Sequence, residues 1–411
     1  MTNKAEGKAI SKAAFLSLHT SPLAQPGTGD GGGMNVYIRE LVSSLAQAGV
    51  VCRVYVRRWA AELPEVVPVE PGFEVVHVPA GPAELPKEEL RSHVDEFAQW
   101  VANDLDSFEP HVVHANYWLS GVAGRILKQR LQLPLLTTFH TLARVKAETG
   151  DHEPQRRVAA EAEVIRCSDV ITASCEPEAQ QLEHLYGAEP DRIEIVTPGV
   201  EHALFSPGDQ GGARAALGLG PGPLLLFVGR IQPLKGLDVA VRALAELHRP
   251  DARLVVVGGA SGQEGEAEVQ RVRRIASDLG VADRIEMVEP QPHHLLSTYY
   301  RAADVCLVPS RSESFGLVAL EAAACGLPVV AAAVGGLRTI VHHGHTGFLV
   351  EGRDPAVFAA YAAEVLESPI LAAEMAFDAA DGARAYTWAS TARSLVKSYG
   401  ELLHRVPVNC S

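Results

Sequence analysis

The stretch SRSESFGLVALEAAACGLP, at 310–328, follows the apolar segment VCLVPS and places two carboxylates, Glu313 and Glu321, eight residues apart. A helix that opens at Gly316 would leave Glu313 in the preceding loop and put Glu321 about two turns into the helix. The first N–H groups of a helix have no intrahelical partner and therefore favour anions. The spacing predicts a sugar-nucleotide site, with a diphosphate at the helix start and the two carboxylates facing a ribose and a hexose. An amphipathic helix with two solvated glutamates is the structural alternative.

Apolar runs alternate with helix-length amphipathic segments along the chain, which is typical of α/β units with a parallel, doubly covered sheet. The pattern starts with AAFLSLHT at 13–20, and it restarts with LLLFVGRI after the Gly/Pro-rich stretch ALFSPGDQGGARAALGLGPGP. This doubling predicts an α/β fold of two Rossmann-like domains whose parallel sheets face each other across a deep cleft. We expect a first domain at 1–204, a second at 205–388, and a C-terminal helix at 389–411 that crosses back to the first domain.

The composition of the 411 residues excludes several classes of partner. Hydrophobic residues make up 47% and charged residues 21%, and no apolar run of about 20 residues could cross a bilayer. The net charge of −14 argues against a nucleic-acid partner. The N-terminus lacks the apolar core of a signal peptide, and the six cysteines show no Cys-x-x-Cys spacing, which disfavours a zinc site and a disulfide framework. We expect a cytoplasmic protein without a membrane or nucleic-acid partner, and leave a homodimer open.

Two loops have residues suited to phosphate groups. GTGDGGGMNVY at 27–37 puts five glycines before a predicted helix, so its backbone can approach a ligand closely. It lacks the dinucleotide-binding spacing, and the chain has no P-loop motif. FVGRIQPLKG at 227–236 sets Arg230 and Lys235 after a predicted strand, where two cations could neutralise a diphosphate and stabilise the charge on a leaving group. A structural turn and two solvated surface charges are the alternatives.

Histidines occur at two predicted strand ends in the first half, His19 and His140. Ligands in open α/β sheets bind beyond the carboxyl ends of strands, so both rings should face the expected cleft, although a structural role is equally compatible. We interpret His293, His294 and the HHGH segment at 342–345 as surface histidines. No carboxylate or cysteine pattern completes a metal site around them.

Together these motifs resemble the retaining GT-B glycosyltransferases, the large family that includes sucrose-phosphate synthase, and the resemblance extends over nearly the whole chain. The motifs that carry it are the spaced glutamates Glu313 and Glu321, the diphosphate cations Arg230 and Lys235, and the first-loop glycines Gly32 and Gly33. The resemblance implies a GT-B fold and an enzyme that transfers a sugar from a UDP-sugar with retention of configuration. It implies no required cofactor and leaves a divalent metal open.

The resemblance also implies a set of donor-binding and catalytic residues. Glu321 would bind the ribose hydroxyls, Glu313 would hold the hydroxyls of the sugar, and His140 would shield an oxocarbenium-like centre. The departing phosphate oxygen would take the acceptor proton, so no side chain need act as a base. The implied catalytic residues are Glu313, His140, Arg230 and Lys235, and the implied donor-binding residues are His19, Gly32, Gly33, Arg230, Lys235, Glu313, Ser314, Phe315, Gly316, Leu317 and Glu321.

Within that family, HTSPLAQPGTGDGGGMNVYI resembles the mycothiol glycosyltransferases, which move N-acetylglucosamine from UDP-GlcNAc to 1D-myo-inositol 3-phosphate. The neighbourhoods of the acceptor positions differ, since this chain has HAN at 114–116 where that subfamily has HSH, and EAE at 161–163 where it has EQQ. The implied acceptor-binding residues are Asp30, Asn35, Lys87, Tyr117, Thr141 and Arg157.

The acceptor stays open between two cyclitols. The same resemblance fits relatives that glycosylate the aminocyclitol 2-deoxystreptamine in aminoglycoside antibiotic biosynthesis. That acceptor is cationic, and Glu148, Asp151 and Glu153 stand in an acceptor-side loop where amines could meet them. We therefore favour N-acetylglucosamine transfer to 2-deoxystreptamine, with 1D-myo-inositol 3-phosphate, the acceptor of mycothiol biosynthesis, as the alternative.

Two rival functions use the same motifs differently. A phosphorylase with this two-domain architecture would need a pyridoxal-binding lysine, which no motif in the chain supplies. A non-catalytic sugar-nucleotide sensor would bind the donor but release no UDP.

Overall fold

The structure is a computed structural model that describes residues 10–27, 29, 31–151, 153–262 and 264–410. The chain divides into two compact units. The first unit comprises Tyr37–Thr197 together with the chain up to Leu23 and the chain from Trp388, and the second comprises Ala24–Val36 and Pro198–Thr387.

The first unit is built on a mixed sheet with the order β3-β4-β2-β1-β5-β6-β7-β8, in which only the β3–β4 pair of the described strands is antiparallel. The inner strands are short apolar runs that are buried along most of their length, as expected for a sheet covered on both faces. The strands are β1 Lys12–Leu16, β2 Val51–Arg57, β3 Val66–Glu70, β4 Phe73–Val78, β5 Val112–Asn116, β6 Leu135–Thr138, β7 Val170–Ala173 and β8 Ile193–Ile195.

Helices connect the parallel strands of this unit, and a 3-10 segment at Lys87–His93 precedes the second of them. The helices are α1 Gly33–Gln47, whose first four residues are counted with the second unit, α2 Val94–Phe108, α3 Trp118–Leu131, α4 Ala143–Glu148, α5 Gln155–Cys167 and α6 Glu176–Tyr186.

The second unit holds a sheet of the order β11-β10-β9-β12-β13-β14, parallel in every described pair. Its strands are β9 Leu224–Val228, β10 Arg253–Val257, β11 Ile285–Val288, β12 Val305–Val308, β13 Val329–Ala332 and β14 Gly347–Val350. Its helices are α7 Gln210–Leu217, α8 Leu237–Glu246, α9 Gly265–Asp278, α10 His293–Ala302, α11 Leu317–Ala324, α12 Leu337–Ile340, α13 Pro355–Glu367 and α14 Pro369–Ala383.

The boundary between the units differs from the predicted one. The second unit begins at Pro198 rather than at 205, and it also takes in the glycine-rich segment Ala24–Val36. That segment lies against residues of the second unit: a Cβ added at Gly27 would come 3.0 Å from Pro290 Cβ. The sequence pattern could not reveal this contact, since it joins positions more than 250 residues apart.

The last helix, α15 Trp388–Leu402, belongs to the first unit. Thr391 donates to the carbonyl of Thr197 at 2.7 Å, and the Tyr399 hydroxyl lies 2.6 Å from His114 Nδ1 of strand β5. Both contacts fix this helix on the first sheet.

Sequence analysis missed the β3–β4 hairpin and placed two strand ends too late. The hairpin interrupts the strand–helix alternation on which the prediction rested. Strand β1 ends at Leu16 and strand β6 at Thr138, so His19 and His140 lie in the loops beyond the strands instead of ending them.

Two further features bear on the expectations from composition. Cys167 and Cys410 form a disulfide that ties the chain beyond α15 to the end of α5, although cysteine spacing had disfavoured a disulfide framework. Of the helices in the described ranges, none is by itself long and apolar enough to span a membrane; Pro355–Glu367 with Pro369–Leu402 passes that test only as a pair bent by 101°.

Candidate functional site

The glutamate motif has the predicted local structure. Helix α11 begins at Leu317, directly after Gly316, whose φ of 103° lies in the region that favours glycine. A Cβ at Gly316 would also come 2.7 Å from Leu337 Cδ2. Glu313 therefore lies in the loop before the helix and Glu321 lies in its second turn, so the N-terminus of α11 is framed by the two carboxylates.

Glu313 is held by the lysine of the other donor motif. Lys235 Nζ lies 2.5 Å from Glu313 Oε1, and the Ser310 hydroxyl donates to the same oxygen at 2.9 Å. Lys235 ends a short 3-10 turn after strand β9 and precedes Gly236, where a Cβ would come 2.3 Å from the carbonyl oxygen of Pro309. This close approach brings the loop after β9 and the loop after β12 together, and the lysine and the glutamate form an ion pair between the two loops.

Arg230 lies against the glycine-rich segment within the second unit. A Cβ at Gly32 would stand 3.1 Å from Arg230 Nε, and a Cβ at Gly33 would stand 3.5 Å from Leu317 Cδ1. Asn35 accepts a hydrogen bond from Gly32 N through Oδ1 at 2.9 Å, which fixes the turn into helix α1. Three of the predicted motifs thus meet at the start of α11.

Sequence analysis missed the pair Gly335–Gly336, which shapes the loop that carries Glu313. Gly336 N donates to the carbonyl of Glu313 at 3.1 Å, and a Cβ at Gly335 would come 1.8 Å from that carbonyl oxygen. A Cβ at Gly336 would come 2.3 Å from Phe315 Cα. The Gly-Gly pair between β13 and α12 is the sequence feature from which this close contact could have been predicted.

Glu321 has partners that the sequence reading did not assign to it. His293 Nε2 lies 2.8 Å from Glu321 Oε1, and the Tyr300 hydroxyl donates to Glu321 Oε2 at 2.8 Å. Glu321 is only 6% exposed, and burial, followed by the charge of Glu321, raises the pKa of Tyr300 well above its usual range. The interpretation of His293 as a surface histidine was therefore wrong, because it begins helix α10 and faces the motif carboxylate.

In the first unit, the predicted acceptor residues Lys87, Tyr117, Thr141 and Arg157 lie together. Lys87 Nζ lies 4.9 Å from the centroid of the Tyr117 ring, and Arg157 Cζ lies 5.1 Å from it. The Thr141 hydroxyl accepts from Arg157 Nη2 at 2.9 Å. Tyr117 has a φ of 76° and directly precedes helix α3, so a strained residue presents the ring between two cations.

Carboxylates surround Arg157 on two sides. Its Nε lies 2.7 Å from Glu161 Oε1, and its Nη1 lies 2.7 Å from Glu153 Oε1. Lys146 pairs with both Glu153 and Asp151. Burial alone would raise the pKa of Glu153, but Arg157 and Lys146 together lower it. The acidic loop is therefore largely neutralised by cations of its own unit.

Two family models match the chain, one in each half. The model described as Glycosyl transferase 4-like domain matches residues 32–199, and the model described as Glycosyl transferases group 1 matches residues 213–381. A D-inositol 3-phosphate glycosyltransferase of Acidothermus cellulolyticus is 47% identical over 407 residues, covering 95% of this chain and 90% of the relative. A relative of the same name from Streptosporangium roseum is 45% identical, covering 98% and 96%. This chain belongs to the group 1 glycosyltransferases.

Solved structures agree with this assignment. Sucrose-phosphate synthase of Thermosynechococcus elongatus superimposes with a TM-score of 0.90 at 31% sequence identity, covering 96% of this chain and 99% of that one. The HepE protein of Anabaena, solved in complex with UDP and glucose, superimposes with a TM-score of 0.76 at 19% identity, covering 94% and 99%. The fold is GT-B, with two Rossmann-like α/β domains.

His140 of this glycosyltransferase is a partly buried histidine. Its Nε2 lies 2.9 Å from Asn116 Oδ1, and the Tyr37 ring packs edge-on against it with centroids 4.9 Å apart. Burial lowers the pKa of His140 to about 3, and its φ of 61° is unusual for a residue other than glycine. A neutral ring suits the predicted contact with a sugar better than a proton-carrying role.

The remaining predicted site residues lie in both units or outside the described residues. The His19 ring lies 4.3 Å from the Tyr117 ring, among the acceptor candidates of the first unit. Ser314 and Phe315 lie in the loop before α11, and Asp30 lies outside the described residues. Within the ranges that the structure describes, no group of three or more His, Cys, Asp or Glu side chains could hold a metal ion.

Proposed function

We propose that this glycosyltransferase transfers N-acetylglucosamine from UDP-GlcNAc to 1D-myo-inositol 3-phosphate with retention of configuration. The observation that carries the proposal is the cation cluster of the first unit, where Lys87 and Arg157 flank the Tyr117 ring and Thr141 adds a hydroxyl. Arg and Lys with a neighbouring hydroxyl are a typical phosphate-binding set. The name of the Acidothermus and Streptosporangium relatives supports the same acceptor.

The contacts of the acidic loop argue against a cationic acceptor. Asp151 and Glu153 pair with Lys146, and Glu153 also pairs with Arg157, so an amine would have to compete with cations already in place. Glu148, exposed at the end of α4, forms no ion pair with any described residue, so one exposed carboxylate remains for an amine, and such an exposed pair contributes little. We therefore set 2-deoxystreptamine aside in favour of the phosphorylated cyclitol that the sequence analysis held as the alternative.

The second unit has the chemistry needed for a donor. Glu321 would accept from the ribose hydroxyls, and Arg230 and Lys235 would neutralise the diphosphate near the start of α11. In the transfer, the anomeric carbon forms a bond to the acceptor oxygen as its bond to the diphosphate breaks, and the departing phosphate oxygen takes the acceptor proton. Positive charge beside that oxygen stabilises the leaving group. The ion pair with Glu313 would hold Lys235 in position for this role.

Turnover with matched acceptors tests the proposal. Purified full-length protein is incubated with UDP-GlcNAc and, in parallel, with 1D-myo-inositol 3-phosphate, unphosphorylated myo-inositol or 2-deoxystreptamine, and both UDP and the glycoside are quantified. We expect efficient turnover only with the phosphorylated cyclitol. Glycosylation of 2-deoxystreptamine but not of inositol 3-phosphate would contradict the proposal, and release of no UDP with any acceptor would indicate a sensor. Replacing the donor with UDP-glucose tests the choice of sugar separately.

A further inference from the structure

Glu161 is a fully buried carboxylate that is bonded to three neighbouring segments of the first unit. It is 0% exposed and lies one helical turn after Arg157 on α5. Its Oε1 accepts from Arg157 Nε at 2.7 Å, and its Oε2 accepts from Ala143 N at 2.9 Å and from the Tyr186 hydroxyl. One side chain thereby joins α5, the start of α4 and the end of α6.

These bonds constrain two of the acceptor residues at once. Ala143 stands two positions after Thr141, so its bond to Glu161 fixes the loop that carries the threonine. Arg157 Nη2 in turn donates to both the carbonyl oxygen and the hydroxyl of Thr141, at 3.2 and 2.9 Å. The guanidinium is planar, so fixing Nε fixes the directions of the remaining N–H groups.

The two carboxylates on Arg157 differ in burial, and this difference separates their roles. The Glu153 side chain is 20% exposed and occupies Nη1, whereas the Glu161 side chain is 0% exposed and occupies Nε. A ligand arriving from solvent can replace the first contact but not the second. We infer that Glu161 is the positioning residue of the acceptor site, orienting the Arg157 fork and the Thr141 loop toward the phosphate of the acceptor; this rests on the proposed function.

The chain offers two matched controls for this inference. Glu163 lies two residues further along the same helix, is half-exposed, and among the described residues pairs with Arg125 at 3.4 Å, so Glu163→Gln removes the same charge without removing an ion pair of Arg157. Tyr186 bonds to Glu161 and accepts from Arg144 N at 3.0 Å but forms no hydrogen bond with Arg157 in the part of the chain that the structure describes, so Tyr186→Phe disturbs the buried network while leaving the hydrogen bonds of the guanidinium.

The experiment compares Glu161→Gln, Glu163→Gln and Tyr186→Phe in the full chain, measuring KM and kcat for inositol 3-phosphate, UDP affinity and Tm. We expect Glu161→Gln to raise the acceptor KM by about tenfold or more, the effect of misdirecting one charge-assisted hydrogen bond, with UDP affinity unchanged. Tyr186→Phe should lower Tm with an acceptor KM within about twofold of wild type, and Glu163→Gln should change neither.

Several outcomes would overturn the inference. An unchanged acceptor KM in Glu161→Gln would show that Glu161 acts only in folding. A rise in the acceptor KM of Tyr186→Phe as large as that of Glu161→Gln would show the same. If Glu161→Gln does not fold, Glu161→Asp keeps the charge but withdraws it by one methylene, and the same rise in KM is expected. Wild-type protein that neither binds nor glycosylates inositol 3-phosphate would overturn the proposed function as well, whereas normal wild-type turnover with an unaffected variant would overturn this inference alone.

Discussion

His293 Nε2 lies 2.8 Å from Glu321 Oε1, and the two residues come from different helices of the second unit, α10 and α11. Phe205 packs against the His293 ring with centroids 4.8 Å apart, so a ring contact also holds the imidazole in place. A carboxylate has about four acceptor positions, and His293 and Tyr300 use two of them. Glu321 therefore keeps capacity for ribose hydroxyls while its orientation is fixed.

This relationship predicts a defect in nucleotide binding. His293→Ala should weaken UDP binding by about tenfold, because the carboxylate loses one of the two donors that orient it. Calorimetry with UDP alone measures the effect without any acceptor. His294→Ala is the matched control, since the neighbouring histidine is exposed and should bind UDP as the wild type does. Equal UDP affinity in the two variants would show that His293 does not orient Glu321.

The Lys235–Glu313 pair predicts a defect in turnover. Lys235→Ala should lower kcat by roughly 10² to 10³, as does the loss of one preorganised donor at a developing negative charge. Arg249→Ala, which removes a surface cation that pairs with Asp251 two residues away, is the control and should leave kcat unchanged. Steady-state kinetics with UDP-GlcNAc and inositol 3-phosphate would measure both. Wild-type turnover in Lys235→Ala would remove the lysine from the mechanism.

Local patterns in the sequence carried most of the fold and the donor motifs. The helix that opens after Gly316 could be predicted, because a glycine before an apolar run is a local signal, and its φ of 103° shows why glycine stands there. The alternation of apolar strands with helices likewise predicted two Rossmann-like domains. The β3–β4 hairpin breaks that alternation and was missed for that reason.

The contacts that shape the site could not be read from local patterns. His293 and Glu321 are 28 residues apart, and Tyr186 and Glu161 are 25 apart, so no helical or strand period links them. The sequence analysis placed Glu153 in a loop on the predicted acceptor side, but its pairing with Lys146 and Arg157 depends on how α4 and α5 pack. The prediction of an amine site counted the negative charges of the loop. The sequence does not show which cations pair with those carboxylates.

The acidic loop leads to a prediction about acceptor charge. Glu153→Gln should lower the KM for inositol 3-phosphate by about twofold to fivefold, because a partly exposed carboxylate no longer competes with the phosphate for Arg157. Glu148→Gln removes the same charge from an exposed position and should have no effect. Initial rates at varied acceptor concentration would measure both. A KM that rises tenfold in Glu153→Gln would show that this carboxylate helps to bind the acceptor.

A buried histidine connects the first sheet to the C-terminal helix. His114 is 0% exposed; its Nδ1 lies 2.6 Å from the Tyr399 hydroxyl and its Nε2 lies 2.8 Å from the Thr138 hydroxyl. Burial is the main cause that lowers the pKa of His114 to about 3. We therefore expect the ring to be neutral in the folded protein near neutral pH.

This depressed pKa predicts that stability falls as the pH falls. In the unfolded chain His114 takes a proton below about pH 6.5, whereas in the folded protein it stays neutral until about pH 3. The unfolded state then binds more protons between those values, so His114 should cost about 2 kcal/mol of stability at pH 5 relative to pH 7.5. Urea denaturation at both pH values should show a smaller pH effect in His114→Asn than in wild type, by about that amount, whereas His184→Asn, at an exposed histidine of α6, should match wild type. If His114→Asn loses as much stability on acidification as wild type does, His114 is not the group that takes up the proton.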